Sequence, residues 1–215
     1  MCALQLSALV LGPLQTNCYF LTNGGTKETI IVDPADEFAK IHEKCRTLNI
    51  KPIAVFLTHG HFDHIAAVEY VKNAWEIPVY AGAAEKGLLR DARINGSAMI
   101  NMDISFTADK WVSDGELLYI AGFEIKVIGA PGHTAGSVCY YFEDGDILIS
   151  GDTLFRDSFG RTDLPTGDFS MLASSIKRKL FPLPDITVVY PGHGVKTTIA
   201  YEKKNNLILR HPDSL

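Results

Sequence analysis

The chain reads as an α/β protein built on mixed sheets, and three observations carry that reading. Short apolar runs rich in Val, Ile and aromatic residues recur along it, stretches of helical period lie between them, and several runs form close pairs that a tight turn would join. Alternation of strand and helix calls for parallel pairing, whereas hairpin pairs need antiparallel strands, so the sheets are expected to be mixed.

The elements follow in order. The apolar start Met1 to Leu6 has no basic leader and meets Gly12-Pro13 before a signal-peptide core could be completed, so it reads as a first strand. Strand-like runs follow at Ala8 to Leu11, Cys18 to Leu21, Ile30 to Val32, Ile53 to Leu57, Val79-Tyr80, Leu117 to Ile120, Ile125 to Ile128, Val138 to Phe142, Ile147 to Ile149 and Thr187 to Tyr190, many bounded by Gly, Pro, Asn or Asp. Helical period marks Asp36 to Leu48, His64 to Trp75 and Phe169 to Phe181. Asp168 is placed to cap the last of these and Pro182 to end it. Residues 83–116, with Gly87, Gly96 and Gly115, read as a helix plus a long surface excursion. A faint internal echo joins two halves. Asn17 to Phe20 leading to Ile30 to Asp33 resembles Val138 to Phe142 leading to Ile147 to Ile149 and Asp152, each a hairpin ending near an aspartate.

With 215 residues, 47% of them hydrophobic, the chain 1–215 is expected to form one domain around a substantial core. Its net charge of −5, with no basic run longer than Lys177-Arg178-Lys179, argues against nucleic acid as a partner. No apolar stretch approaches the ~18 residues of a membrane span. Cys2, Cys18, Cys45 and Cys139 form no Cys-x-x-Cys pair and read as apolar fillers in a reducing compartment, which makes the expected location cytoplasmic.

The chemistry concentrates in Thr58-His59-Gly60-His61-Phe62-Asp63-His64, directly after the apolar run ending at Leu57. Imidazoles taken out of water need polar partners, and three so close would repel on protonation, so packing does not explain them. A divalent cation does. His133 in Pro131-Gly132-His133-Thr134, Asp152 in Gly151-Asp152-Thr153 and His193 in Pro191-Gly192-His193-Gly194 each follow an apolar run through a Gly-containing turn, at the kind of strand end where α/β folds collect ligands. Five imidazoles and two carboxylates suffice for two first-row metal ions with positions left for water. His42, among charges in a helix, and His211, in a polar tail, read as ordinary surface histidines. Asp33 reads equally as a strand-end cap or as a partner orienting a ligand histidine.

In their order, these motifs resemble the successive metal motifs of the metallo-β-lactamase superfamily, over nearly the whole chain. The resemblance implies a four-layer αββα sandwich of two mixed sheets flanked by helices, with the site at the rim between the sheets. It implies that His59, His61 and His133 hold one metal, that Asp63, His64 and His193 hold the other, and that Asp152 bridges them. Asp152 stands where the superfamily's antibiotic-hydrolysing members typically carry Cys or Ser, which disfavours that activity. Gly151 to Phe155 followed by Phe159-Gly160-Arg161-Thr162-Asp163-Leu164-Pro165 is similar to glyoxalase II (hydroxyacylglutathione hydrolase) and its short bacterial relatives. Arg161 matches a basic position that meets the thiol's carboxylate there and is the candidate for that role, with pairing to Asp163 or Asp157 as the alternative.

The implied enzyme hydrolyses a small-molecule thioester such as S-D-lactoylglutathione with two divalent ions, zinc first and iron or manganese as alternatives. Asp152 and Asp63 are its catalytic carboxylates. The short chain is expected to lack the C-terminal helical domain of long glyoxalase II, and a homodimer is one way to complete the substrate site. The competing reading is a persulfide dioxygenase with one iron on His59, His133 and Asp152. A lactonase or a non-catalytic metal-binding protein ranks lower.

Overall fold

In the computed structural model, which describes residues 4–211, two six-stranded sheets lie face to face. The first follows chain order through β1 (Leu4–Leu11), β2 (Thr16–Asn23), β3 (Glu28–Val32), β4 (Lys51–Phe56), β5 (Val79–Gly82) and β6 (Lys110–Val112). The strands from β1 to β3 pair antiparallel and those from β3 to β6 parallel. The second sheet takes the antiparallel meander β7 (Leu117–Ile120), β8 (Phe123–Gly129), β9 (Val138–Phe142) and β10 (Ile147–Gly151). A two-stranded ribbon of β11 (Leu154–Phe155) and β12 (Ser158–Phe159) follows. The chain then returns to the second sheet through β13 (Val188–Pro191), parallel to β10, and β14 (Thr197–Thr198).

Helix α1 (Phe38–Leu48) joins β3 to β4; α2 (Phe62–Ile65) and α3 (Val68–Trp75) lead to β5, and α4 (Lys86–Leu89) follows it. On the other sheet lie α5 (Phe169–Ser175), prolonged by a wider π turn over Ile176–Leu180, and α6 (Ile199–Asn205). Side chains alternate along each strand, and the alternation builds three apolar layers. Phe20, Ile31 and Val55 face Ile41, Cys45, Val68 and Val71 of the first helix layer. Tyr19, Ile30, Phe56, Val127, Tyr140 and Ile149 fill the space between the sheets. Tyr141, Leu148 and Val189 meet Leu172, Ile176 and Ile199 of the second helix layer. Three apolar layers separate four structural ones, which is the αββα sandwich.

Several boundaries differ from the sequence reading. Strand β1 runs from Leu4, and Met1 to Ala3 with the Cys2 assignment lie outside the described residues. The helix predicted over His64 to Trp75 is two helices, because the Ala66 and Ala67 amides donate to Ala35 and Pro34 carbonyls instead of continuing the turn. Residues 83–116 hold α4, two short 3₁₀ turns and the unpredicted edge strand β6. Asp168 does cap α5, accepting from the Met171 amide at 2.9 Å. The internal echo is real in the topology: β2–β3 and β9–β10 are antiparallel hairpins, and each second strand pairs in parallel with the next strand of its sheet. No helix among the described residues is long and apolar enough to cross a membrane.

Candidate metal centre

The two sheets are stitched together at one rim. The Asn17 amide donates to the Gly192 carbonyl at 2.7 Å, the Val138 amide to Thr58 at 2.9 Å, and the Tyr19 hydroxyl to Pro191 at 2.6 Å. All seven residues singled out in the sequence meet at this rim, beyond the ends of β4, β8, β10 and β13. His59 and His61 sit in the turn leaving β4, and the first turn of α2 swings Asp63 and His64 back toward them. The approach is close. A Cβ on Gly192 would lie 2.1 Å from Asp152 Oδ1, so only glycine lets the His193 loop reach the cluster.

One group comprises His59, His61 and His133, all buried. His61 Nδ1 lies 2.9 Å from His133 Nε2, which lies 3.2 Å from His59 Nε2. A second comprises Asp63, His64 and His193, with Asp63 Oδ2 lying 3.2 Å from His193 Nε2 and 3.6 Å from His64 Nε2, and a third set, His59, His64 and Asp152, links the two. Asp152 stands between them. Its Oδ2 is 3.7 Å from His133 Nε2 and 3.4 Å from His193 Nε2, and its Oδ1 is 3.4 Å from His64 Nε2.

The far side of the rings explains their orientation. His133 Nδ1 donates to the Arg161 carbonyl at 2.7 Å, His193 Nδ1 to the Leu14 carbonyl at 3.1 Å, and His64 Nδ1 to Asp33 Oδ2 at 2.9 Å. Each bond holds a hydrogen at Nδ1, so in the neutral ring the Nε2 lone pair points into the cluster. Asp33 also accepts from the Thr58 amide at 2.8 Å and the Thr58 hydroxyl at 2.6 Å, and that hydroxyl lies 3.1 Å from His59 Nδ1. Asp33 thus makes both contacts open to it, capping the backbone beyond β4 and holding the His64 ring. Thr16 Oγ1 donates to Asp63 Oδ2 at 3.1 Å.

Such a cluster fits a cation better than it fits itself. Converging imidazole lone pairs repel, and His64 Nε2 and Asp152 Oδ1 are buried without a hydrogen-bond partner, at a cost of about 1–3 kcal/mol for each such atom. The two groups resolve this differently when no cation is bound. Burial pushes His59 and His133 below the ordinary histidine range and His61 down to about 3, aided at His59 and His61 by the neighbouring imidazoles and opposed at His133 by Asp152 and the Arg161 carbonyl, so these rings stay neutral. His64 is also buried, but Asp63, Asp152 and Asp33 outweigh burial and raise it well above that range. Against its own partial burial, His193 is lifted to about 9 by hydrogen bonds to Asp152 and Asp63. The two carboxylates stay ionised despite burial: nearby His64 and His193 hold Asp63 at about 2 and Asp152 well below the usual carboxylate range.

A cavity of about 560 Å³ opens over the cluster, walled chiefly by Phe62, Ile94, Met99, Phe155, Phe159 and Leu164. Two arginines stand at its edge. The Arg161 guanidinium pairs with Asp163 through two 2.7 Å bonds while its backbone carbonyl orients His133. Arg93, which sequence reasoning missed inside the excursion 83–116, pairs with Asp91 in the same manner. His42 stacks on Trp75 and His211 packs on Phe169, both outside the cluster.

Comparison with known proteins agrees with this architecture. Residues 11–193 match the model of the metallo-β-lactamase superfamily. A probable metallo-hydrolase, YqgX of Bacillus subtilis, is 43% identical over 203 residues, covering 93% of this chain and 94% of its own. The hydroxyacylglutathione hydrolase GloC of Haemophilus influenzae is 30% identical over 210 residues, covering 96% and 98%. Among solved structures, the BLEG-1 B3 metallo-β-lactamase superposes with a TM-score of 0.92 at 40% identity, covering 96% of this chain and 100% of its own. TTHA1623 in a di-iron-bound form superposes at 0.84 and 35% identity, covering 94% and 98%. With its sandwich, its strand-end His and Asp cluster and its full-length relatives all in agreement, the chain belongs to the metallo-β-lactamase superfamily and is an enzyme of its metallo-hydrolase type.

Proposed function

We propose that this protein hydrolyses small-molecule thioesters at two divalent metal ions, zinc being the first choice. The observation that carries the proposal is the pair of donor groups sharing Asp152. His59, His61 and His133 would hold one ion and Asp63, His64 and His193 the other, with Asp152, whose Oδ2 faces both groups, as the residue they would share. Ions bound there would polarise the thioester carbonyl and bring the pKa of a water from about 15.7 toward 7.

The protein supplies the rest. Asp63, held by Thr16, and Asp152 balance the cationic charge while leaving the centre net positive toward an oxyanion. Asp33 and the Leu14 and Arg161 carbonyls keep the rings from turning. The apolar cavity wall holds the substrate against bulk water. Thiols ionise near a pKa of about 8.5, so the departing thiolate needs no proton from the chain. Arg161 takes a carboxylate of the thiol by exchanging it for Asp163.

Identity to GloC across nearly the full length supports the thioester reading. The test is loss of the S-D-lactoylglutathione thioester on zinc-reconstituted protein beside a chelator-treated sample. Zinc-dependent turnover at low substrate concentration is expected, and turnover equal to the chelated control would refute the assignment. The second reading is persulfide oxidation at a single iron on His59, His133 and Asp152; the di-iron-bound TTHA1623 supports only iron as a metal to test, and oxygen consumption by iron-loaded protein would reveal that activity. Likeness to BLEG-1 makes a cephalosporin the comparison substrate in the same assay.

A further inference from the structure

Behind the three-imidazole group lies a buried carboxylate that the mechanism above does not use. Glu85 ends the short turn Ala83–Glu85 after β5, is 1% exposed, and does not belong to the cavity wall. Its Oε2 accepts the Gly60 amide at 2.7 Å, and Gly60 is the residue between His59 and His61. Its Oε1 accepts the Gly136 amide and the Thr134 hydroxyl, both at 2.8 Å, and Thr134 directly follows His133. One side chain thus spans the two loops that deliver all three imidazoles. The contact is tight, since a Cβ on Gly136 would meet the Glu85 amide nitrogen at 2.4 Å.

We propose that Glu85 is a positioning residue for the metal bound by His59, His61 and His133, setting the separation of the two loops and through it the geometry and affinity of that half. The proposal rests on the metal assignment made above. The two amides can only donate, so both carboxylate oxygens must accept. A carboxamide at this position turns an NH₂ toward either Gly60 or Gly136, and one loop loses its anchor whichever way it turns.

Glu202 provides an internal comparison. It is equally buried, and it takes the Thr197 hydroxyl, the Asn206 amide group and the Asp157 backbone amide, none of them in the loops that carry His59, His61 and His133. Loss of its charge therefore reports what a buried carboxylate contributes to folding alone.

The experiment titrates cobalt(II) into metal-free wild type, Glu85→Gln, Glu202→Gln and Thr134→Val, reading the visible d–d spectrum and competition with a chelator. Melting of the metal-free forms separates folding from binding. Glu85→Gln is expected to weaken the first equivalent by about 10- to 100-fold and to alter its spectrum, the usual range for losing an outer partner of metal ligands. Glu202→Gln is expected to lower the melting temperature and leave cobalt affinity and spectrum unchanged. Wild-type affinity and spectrum in Glu85→Gln, or an equal loss in Glu202→Gln, would overturn the proposal. Should Glu85→Gln not fold, Thr134→Val decides: a weaker first equivalent supports the role of Glu85 and an unchanged one removes it. A wild-type protein that binds no cobalt would bring down the metal assignment and this proposal together, a result distinct from a failure of Glu85 alone.

Discussion

The two halves of the centre are made of the same kind of ring held in opposite states. His59, His61 and His133 face one another in a buried pocket where burial outweighs the single nearby carboxylate, Asp152, and they stay neutral, His61 down to about 3. His64 and His193 lie against Asp63 and Asp152, and they hold protons well into the range where free histidine has lost them, His193 up to about 9. Neighbours, not residue type, decide whether a histidine waits for a metal or for a proton. On the proposed assignment, the first half is ready for its ion as it stands, while the second must release protons to take one.

The strongest way to break this comparison is to remove the group the halves share. Asp152→Ala is expected to abolish the second ion and reduce thioester turnover by about a thousand-fold or more, several kcal/mol of transition-state stabilisation. Metal analysis and turnover on the same sample check it, and a variant retaining two ions would end the bridging role of Asp152.

Next in size is the response to pH. The raised values of His64 and His193 mean that, without metal, protons fill the second half below about pH 9, and an ion must displace them. Affinity there should fall as pH falls below about 9, roughly ten-fold per unit for each proton displaced. His61, at about 3, gives the first half no such loss across the same span. Equilibrium dialysis with limiting zinc at pH 8 and pH 6 should find the second equivalent lost first; equal weakening of both would erase the distinction.

Asp33→Asn sharpens the comparison further. Asp33 accepts from His64 directly but reaches His59 only through the Thr58 hydroxyl. The second half should therefore weaken by about 10- to 100-fold and the first by less, as read from the two steps of a cobalt titration. The smallest effect belongs to Arg161→Ala. Its guanidinium is exposed and already paired, so KM for a carboxylate-bearing thioester should rise by up to about five-fold with kcat little changed. A fall in kcat alone would place Arg161 elsewhere in the reaction.

What the sequence revealed follows the same division between near and far. His59, His61, Asp63 and His64 crowd into one turn after an apolar strand, and His133, Asp152 and His193 each follow a glycine at a strand end, so local pattern exposes them. The α/β class and the mixed sheets were legible in the short apolar runs and their hairpin-like pairs, whereas the four layers followed only from the resemblance of the metal motifs to those of the superfamily. Asp33 remained ambiguous, since its partner His64 is distant in the chain and a strand-end aspartate has other uses. Glu85, Thr16, the Leu14 carbonyl and Arg93 left no sequence signal, because each acts through a contact that exists only after the sheets close. The short β6, β11, β12 and β14 carry too few residues for a period to register. The break between α2 and α3 comes from amides captured by Pro34 and Ala35, a tertiary event that helical period cannot report.

The central claim is that two unequal metal sites act together in thioester hydrolysis. Its most direct test is turnover of S-D-lactoylglutathione as zinc is titrated into metal-free protein at pH 8, with bound zinc measured in parallel. The account predicts little activity through the first equivalent and a rise to full rate with the second. Full rate at one equivalent, or no turnover with two ions bound, would contradict it.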